Sequence, residues 1–100
     1  MAKVREHGFM KRIRVHISGI VQGVNFRGAT RRMAAELKLT GWVRNTSDGG
    51  VEAVFEGEDA AVDKAVVWCK TGPPAARVNK VTSSSEQYTG GFSDFRIAFL

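Results

Sequence analysis

The chain has 100 residues, of which 43% are hydrophobic and 25% are charged, and its formal net charge is +5. This composition is too apolar for a disordered chain, and the length suits a single domain with one hydrophobic core. No run approaches the roughly 18 apolar residues of a membrane helix, and the charged start contains no apolar signal segment, so we expect a cytoplasmic protein without membrane contact.

The positive charge is concentrated at the N-terminal end. Residues 1–14 carry five basic residues against one acidic residue, whereas the rest of the chain is nearly neutral. Because a nucleic-acid-binding protein presents a continuous basic face, we expect no nucleic-acid partner. We expect residues 1–11 to form a flexible N-terminal leader and residues 12–100 to form one domain that acts as a monomer.

Hydrophobic periodicity predicts a strand, a helix and a hairpin in the first half of the chain. Apolar residues alternate over 13–17, as in a half-buried strand, and recur at three- and four-residue steps over 26–37, as in an amphipathic helix. Two further runs at 41–45 and 51–56 flank the turn-forming sequence of residues 46–50. These two runs and their turn predict a β-hairpin.

The second half predicts one more helix and two more strands. Acidic residues at 57–59 favour a helix start, and the Gly-Pro-Pro sequence at 72–74 ends it. A polar-rich strand is predicted over 78–88 and a final alternating strand over 95–99. The order is typical of a ferredoxin-like βαββαβ sandwich of the α+β class, with two helices on one face of an antiparallel sheet of four to five strands.

The segment between the first strand and the first helix, residues 19–27, has the features of an anion-binding loop. The free amides of such a loop and of the helix start point into one small volume, where the helix dipole adds partial positive charge. Arg27 lies at the start of the helix, and its guanidinium can bind two phosphate oxygens in a bidentate manner. Gly28 lowers helix stability, which suggests a close packing contact there. No nucleotide-binding glycine motif occurs, so a plain glycine-bearing turn with a surface arginine remains the alternative.

Two long sequence motifs resemble those of the acylphosphatase family. Residues 19–27 read GIVQGVNFR and match the family's loop pattern G-x-V-Q-G-V-x-F-R. Residues 41–52 read GWVRNTSDGGVE and match its second pattern, G-W-V-R-N-x-x-D-G-x-V-E. The resemblance covers about residues 12–99. It implies the ferredoxin-like fold and an enzyme that hydrolyses the carboxyl-phosphate bond of small-molecule acyl phosphates.

The resemblance also implies roles for individual residues. Arg27 corresponds to the family's phosphate-binding arginine, and Asn45 corresponds to the asparagine that positions the attacking water. The backbone that would cradle the phosphate comprises Gln22, Gly23, Val24, Asn25, Phe26 and Arg27. Because the carboxylate leaving group needs little protonation, positioning and electrostatics suffice, and the expected reaction uses no cofactor and no metal ion.

Two other classes of function fit parts of the pattern. RNA-binding RRM domains share the order of elements, but the strand at 51–56 places Glu52 and Glu56 on the face where bases would stack. A small-anion-binding domain could keep the fold without catalysis. The presence of both Arg27 and Asn45 favours an enzyme over such a domain.

Other reactive side chains are predicted to be structural. Cys69 lies on the apolar stripe of the second helix, which indicates buried packing. His16 lies on the polar face of the first strand, where it is solvated or bonded across the sheet, and Asp48 is expected to shape its turn. The acidic residues within 52–63 are expected to form a solvated edge. One cysteine and two histidines give no cluster at zinc-ligand spacing.

Overall fold

The computed structural model describes residues 9–99. Within them, the elements follow the predicted order and include a fifth strand. They are β1 Met10–Ile20, α1 Phe26–Glu36, β2 Thr40–Asn45, β3 Val51–Glu58, α2 Asp59–Cys69, β4 Arg77–Glu86 and β5 Phe95–Ile97. No helix in this range is long and apolar enough to cross a bilayer.

All five strands form one sheet in the order β4-β1-β3-β2-β5. Three ladders are antiparallel, whereas β5 runs parallel to β2, with Gly41 opposite Phe95 and Val43 opposite Ile97. The ferredoxin-like α+β class is therefore confirmed, with a mixed sheet in place of the purely antiparallel one expected. Alternation along a strand reports its two faces and not its direction, so the sequence does not reveal the parallel pair.

The hydrophobic core lies between the sheet and the two helices. Contacts of α1 with β2 and β5, and of α2 with β1 and β3, place both helices on one face, as predicted. The inward-facing strand residues are fully buried and include Val15, Ile17, Val43, Ala53 and Phe55. The helices contribute Phe26, Ala34, Val62, Ala65 and Cys69 to the same cluster.

The opposite face of the sheet is partly covered as well. The expectation of a solvated acidic edge over residues 52–63 holds for the exposed Glu58 and Asp63 but is wrong for Glu56. Glu56 is 1% exposed and accepts hydrogen bonds from the amides of Thr89 and Gly90 at 2.9 and 3.1 Å. Arg12 lies 3.5 Å from the same carboxylate. The segment after β4 thus folds over Glu56, and such a long-range contact leaves no trace in local composition.

The N-terminal boundary of the domain lies earlier than predicted. β1 starts at Met10, and Met10 and Lys11 pair with the last residues of β3. The expectation of a leader over residues 1–11 is therefore wrong at these two positions. Phe9, directly before the strand, accepts a hydrogen bond from the amide of Asp59. The remainder of that expectation concerns residues 1–8, which lie outside the described residues.

Near its C-terminal end, β1 continues through Gly19 and Ile20, which the sequence analysis placed in the segment after the strand. The register against β4 shifts between Ser18 and Gly19, and the strand then runs on to Ile20. Gly19 has φ +130°, and a Cβ there would collide with the backbone of Arg77 and Asn79. Only glycine fits this irregularity, which lies directly before the loop that leads into α1.

Candidate active site

The loop between β1 and α1, residues 21–25, contains two left-handed backbone conformations. Gly23 has φ +77° and Asn25 has φ +62°, and turns of this kind create concave arrangements of amides that bind anions. The first hydrogen bond of the helix runs from Ala29 N to Asn25 O at 3.1 Å. Among the turn and loop hydrogen bonds of the described chain, none uses the amides of residues 22–28, so these amides are available to a ligand.

Gly28 makes room for the Asn25 side chain in the first turn of α1. A Cβ at position 28 would collide with the side-chain oxygen of Asn25. The close packing predicted for Gly28 is therefore confirmed. A larger residue here would push against Asn25, whose left-handed backbone precedes the helix.

The side chain of Phe26 anchors the loop in the core. It is 2% exposed, and its ring meets that of Trp68 edge-on, with centroids 5.6 Å apart. Gly72 lies against the same ring, since a Cβ there would collide with Phe26. Val21 is buried at the other end of the loop, and Val24 packs partly against the core. Both ends of the loop are thus fixed by packing, and Phe26 can contribute only its backbone to a ligand.

Arg27 lies at the start of α1 with its charge unpaired within the described chain. None of the ion pairs among the described residues includes Arg27. Its guanidinium carbon lies 5.6 Å from the centroid of the Phe99 ring. An arginine without a carboxylate partner keeps its donors free for an anionic ligand.

Asn45 is the last residue of β2, on the same face of the sheet as Val43 because the two are separated by one residue. The hairpin pairs its backbone with Val51. Trp42 and Arg44 take the other face, where their side chains form a cation–π contact. Asn45 thus faces the helix side, where the loop before α1 also lies.

One cavity of about 210 Å³ brings Arg27 and Asn45 together with part of the predicted loop. Its lining comprises Val21, Gly23, Asn25, Arg27, Gly28, Asn45, Ile97 and Phe99. Gln22, Val24 and Phe26 do not belong to this lining, and the backbone role expected for them stays a prediction. No carboxylate is present in this lining, so a negatively charged ligand meets no repulsion from it.

The side chain of Gln22 ties the loop to the β2-β3 hairpin, a contact that sequence reasoning missed. Its Nε2 donates hydrogen bonds to the carbonyl oxygens of Thr46 and Gly50 at 2.9 and 2.8 Å. Thr46 directly follows Asn45, so Gln22 connects the loop to the strand end that contains the asparagine. The signal in the sequence is the long amide side chain in the loop motif, but nothing local identifies its acceptors.

The hairpin turn is itself stiffened by Asp48, as predicted. The amide of Gly50 donates to Asp48 Oδ1 at 3.0 Å, and the Thr46 hydroxyl donates to the same oxygen. These hydrogen bonds, that from Thr46 foremost, lower the pKa of Asp48. His16 Nε2 lies 3.3 Å from the other carboxylate oxygen, so this histidine is bonded across the sheet, one of the two arrangements expected for it.

β5 and the residues directly after it place Ile97 and Phe99 at the cavity, which sequence reasoning also missed. The amide of Ala98 donates to Val43 O at 2.8 Å and extends the pairing of β5 with β2. The alternation of residues 95–99 predicted the strand, but its parallel position beside β2 follows only from the tertiary fold.

Cys69 is not part of this site. Its side chain is fully buried in the core, and burial raises the pKa of its thiol to about 12. A thiol with such a pKa is almost entirely protonated at neutral pH and is a poor nucleophile. The predicted packing role of Cys69 is confirmed.

A larger cavity of about 540 Å³ lies at β5 and the outer face of the sheet and is a poor phosphate site. Its arginines are already paired: Arg44 lies 2.7 Å from Glu52, and Arg96 lies 2.9 Å from Asp94. The cavity contains neither Arg27 nor Asn45. The smaller cavity is therefore the candidate active site.

Comparison with known proteins identifies the family of this chain. The family model described as Acylphosphatase matches residues 13–97. An acylphosphatase of Pelotomaculum thermopropionicum is 54% identical over 92 residues, which cover 90% of this chain and 100% of the relative. An acylphosphatase of Rubrobacter xylanophilus is 55% identical over 87 residues, 87% of this chain and 79% of the relative.

Solved structures agree in fold as well. The structure of an acylphosphatase from Coxiella burnetii has a TM-score of 0.88 and 40% identity, and the match covers 94% of this chain and 98% of that chain. An acylphosphatase from Bacillus subtilis has a TM-score of 0.84 and 34% identity, covering 89% and 98%. The chain therefore belongs to the acylphosphatase family and is an enzyme that hydrolyses acyl phosphates.

Proposed function

We propose that the enzyme binds the phosphoryl group of its substrate in the cavity between the β1-α1 loop and β2. Arg27 and the backbone amides of residues 22–27 hold the phosphate, and Asn45 orients the water that attacks phosphorus. One observation carries the proposal: a single small cavity joins Arg27, Asn45 and the loop, although they come from separate elements of the chain.

The cradle can hold a doubly negative group by electrostatics alone. Each charge-assisted hydrogen bond contributes on the order of 1.5–3 kcal/mol. The N-terminus of α1 adds partial positive charge at the same place. The amides of residues 22–28 have no competing acceptor among the loop hydrogen bonds of the described chain. Several such bonds together suffice to hold a phosphate against water.

The reaction proposed is an in-line displacement at phosphorus. The oxygen of a water molecule forms a new P–O bond while the bond from phosphorus to the acyl oxygen breaks, and the carboxylate leaves with the bonding electron pair. Because a carboxylate is a stable anion at neutral pH, it needs no general acid. Catalysis then consists of positioning and charge stabilisation.

Asn45 orients the water and does not deprotonate it. Its side-chain oxygen can accept a hydrogen bond from the water, but an amide does not take up a proton at neutral pH. The proton of the attacking water passes to a phosphate oxygen of the substrate. Inorganic phosphate then leaves the site carrying this proton. This assignment requires no histidine or carboxylate at the attacking side of the cavity.

No cofactor takes part in the proposed mechanism. Among the described residues, no group of three or more histidine, cysteine or acidic side chains is arranged to hold a metal ion. Arg27 and the amides supply the positive field that a metal would otherwise supply. The proposal therefore predicts that a chelator leaves turnover unchanged.

The test is a benzoyl phosphate hydrolysis assay in the presence of EDTA. Wild type is expected to retain its full rate, whereas Arg27→Ala is expected to lose at least about 100-fold in kcat/KM because the phosphate loses its bidentate partner. Arg31→Ala is the matched control, because it removes an exposed arginine of the same helix that does not line the cavity. A rate that EDTA abolishes, or equal losses in the two variants, would refute the proposal.

A further inference from the structure

The cavity that contains Arg27 and Asn45 has an apolar side that phosphate binding does not use. This side consists of Val21, Ile97 and Phe99. Val21 is 1% exposed and belongs to the core, whereas Phe99 is 76% exposed. An exposed aromatic ring at the mouth of a charged site offers apolar surface that a ligand can cover.

Two interactions position Phe99, one through the neighbouring backbone and one at the ring. The hydrogen bond from Ala98 N to Val43 O, 2.8 Å long, fixes the backbone beside β2. The guanidinium of Arg27 lies over the ring at 5.6 Å. An acyl group is joined to its phosphate through a single oxygen atom, so a phosphate held by Arg27 brings the acyl group within reach of this ring.

Charge and size restrict which acyl groups fit. Arg27 is the one cation among the described residues that line the cavity, and the phosphate engages it. A second negative charge on the acyl group would therefore lack a partner. The cavity of about 210 Å³ is smaller than the roughly 300–1,000 Å³ of sites for drug-sized ligands, which suits an acyl group no larger than one ring.

We infer that Phe99 and Ile97 form an acyl subsite, and that the enzyme prefers uncharged acyl phosphates with one aromatic ring over those with a short or negatively charged acyl group. This inference rests on the proposed function, since it needs the phosphate at Arg27. Phe99 determines which acyl phosphates are preferred because its ring contacts the acyl group. Ile97 extends the same apolar surface towards the floor of the cavity.

The test compares the hydrolysis of benzoyl, acetyl and succinyl phosphate by wild type and Phe99→Ala. Each variant rate is divided by the wild-type rate for the same substrate, so that intrinsic reactivity cancels. Phe99→Ala is expected to lower kcat/KM for benzoyl phosphate about 3- to 10-fold, mainly through KM, and to leave acetyl and succinyl phosphate within twofold. Phe99→Leu, which keeps an apolar surface without the ring, is expected to lie between wild type and Phe99→Ala.

Val67→Ala is the matched control, because Val67 is also a large hydrophobic residue on the surface, 61% exposed, and does not line the cavity. It is expected to leave all three substrates unchanged. Equal losses for benzoyl and acetyl phosphate in Phe99→Ala would mean that the ring acts only through Arg27, and the inference would be wrong. It would be equally wrong if Phe99→Ala changed neither substrate.

A binding measurement separates this inference from the proposed function. Phenacylphosphonate and acetonylphosphonate carry a CH₂ group in place of the bridging oxygen and cannot be hydrolysed at that position. Calorimetry is expected to show that wild type binds the phenacyl compound at least about threefold more tightly, and that Phe99→Ala removes this difference. Equal affinity of wild type for both compounds would overturn the inference whether or not the enzyme turns over acyl phosphates, whereas a failure of turnover with an intact affinity difference would refute only the mechanism.

Discussion

In the proposed mechanism, Asn45 acts through geometry and not through acid–base chemistry. It ends β2 on the helix side of the sheet, and it lines the same cavity as Arg27. None of the side-chain hydrogen bonds of the described residues engages the Asn45 amide. A polar group held in place by its strand and free of internal partners is suited to orient a water molecule.

Replacing Asn45 by Ala should therefore lower kcat and spare substrate binding. We expect kcat to fall roughly 100-fold or more, which is typical for the loss of one preorganised polar group, with KM changed less than about threefold. Asn79→Ala serves as the control, because Asn79 is exposed on β4 at the far edge of the sheet. Near-normal kcat in Asn45→Ala, measured by steady-state hydrolysis of benzoyl phosphate, would remove Asn45 from the mechanism.

At the scale of elements, the site depends on the register between the β1-α1 loop and the β2-β3 hairpin. Gln22 is the link, since its Nε2 bonds both Thr46 O and Gly50 O. Both carbonyls retain other donors, because Gly49 N bonds Thr46 O and Thr46 N bonds Gly50 O. Loss of the Gln22 amide therefore weakens the connection between the loop and the hairpin, while both carbonyl oxygens keep a hydrogen-bond donor.

Gln22→Met removes the two hydrogen bonds at similar side-chain length. We expect kcat to fall about tenfold because Asn45 and the cradle lose their fixed spacing. The free energy of unfolding is expected to fall by about 1–2 kcal/mol, at about 1 kcal/mol for each hydrogen bond. Kinetics and urea denaturation measure the two effects separately, and Gln87→Met, at an exposed position after β4, is the control. A stability loss without any change in kcat would restrict Gln22 to a purely structural role.

The sequence predicts elements well where a local pattern suffices. The periodicity of residues 26–37 and the turn chemistry of residues 46–50 predicted α1 and the hairpin. That the backbone before Arg27 faces a ligand, as the loop motif indicates, stays a prediction. The contacts that the sequence did not predict join segments far apart in the chain. Gln22 reaches the turn 24 residues later, and the segment after β4 covers Glu56, so neither leaves a periodic or compositional signal.

At the scale of the whole molecule, the outer face of the sheet is held by a network of ion pairs. Glu52 lies 2.8 Å from Arg14 and 2.7 Å from Arg44, and Arg14 also lies 2.6 Å from Glu86. Burial by itself would raise the pKa of Glu52, but the hydrogen bonds from the two arginines outweigh it and lower that pKa. The hydrogen bond from Arg14 is the largest cause that lowers the pKa of Glu86.

These lowered pKa values make stability depend on pH in a defined direction. A carboxylate whose pKa is lower in the folded state stabilises the fold above its unfolded pKa of about 4.3, and this contribution is lost as the pH falls through the folded value. We expect Glu52→Gln to lower the free energy of unfolding by about 2 kcal/mol at pH 7 and by clearly less at pH 3. Urea denaturation at both pH values measures this.

Glu36→Gln controls for the general effect of removing one negative charge, because Glu36 is exposed and belongs to none of the ion pairs of the described residues. Its free energy of unfolding should stay within about 0.5 kcal/mol of wild type at both pH values. If Glu52→Gln lost the same stability at pH 3 as at pH 7, the network would not be the source of the acid sensitivity.

The binding of phosphate by the loop is tested most directly by titrating ¹⁵N-labelled protein with inorganic phosphate in the presence of EDTA and following the amide resonances. The amides of residues 22–27 should shift together with one Kd. Asn45→Ala should keep that Kd within about threefold, and Arg27→Ala should weaken it at least about tenfold. Shifts centred on the cavity of Arg44 and Arg96, or a Kd that Arg27→Ala leaves unchanged, would contradict the assignment of the phosphate to this loop.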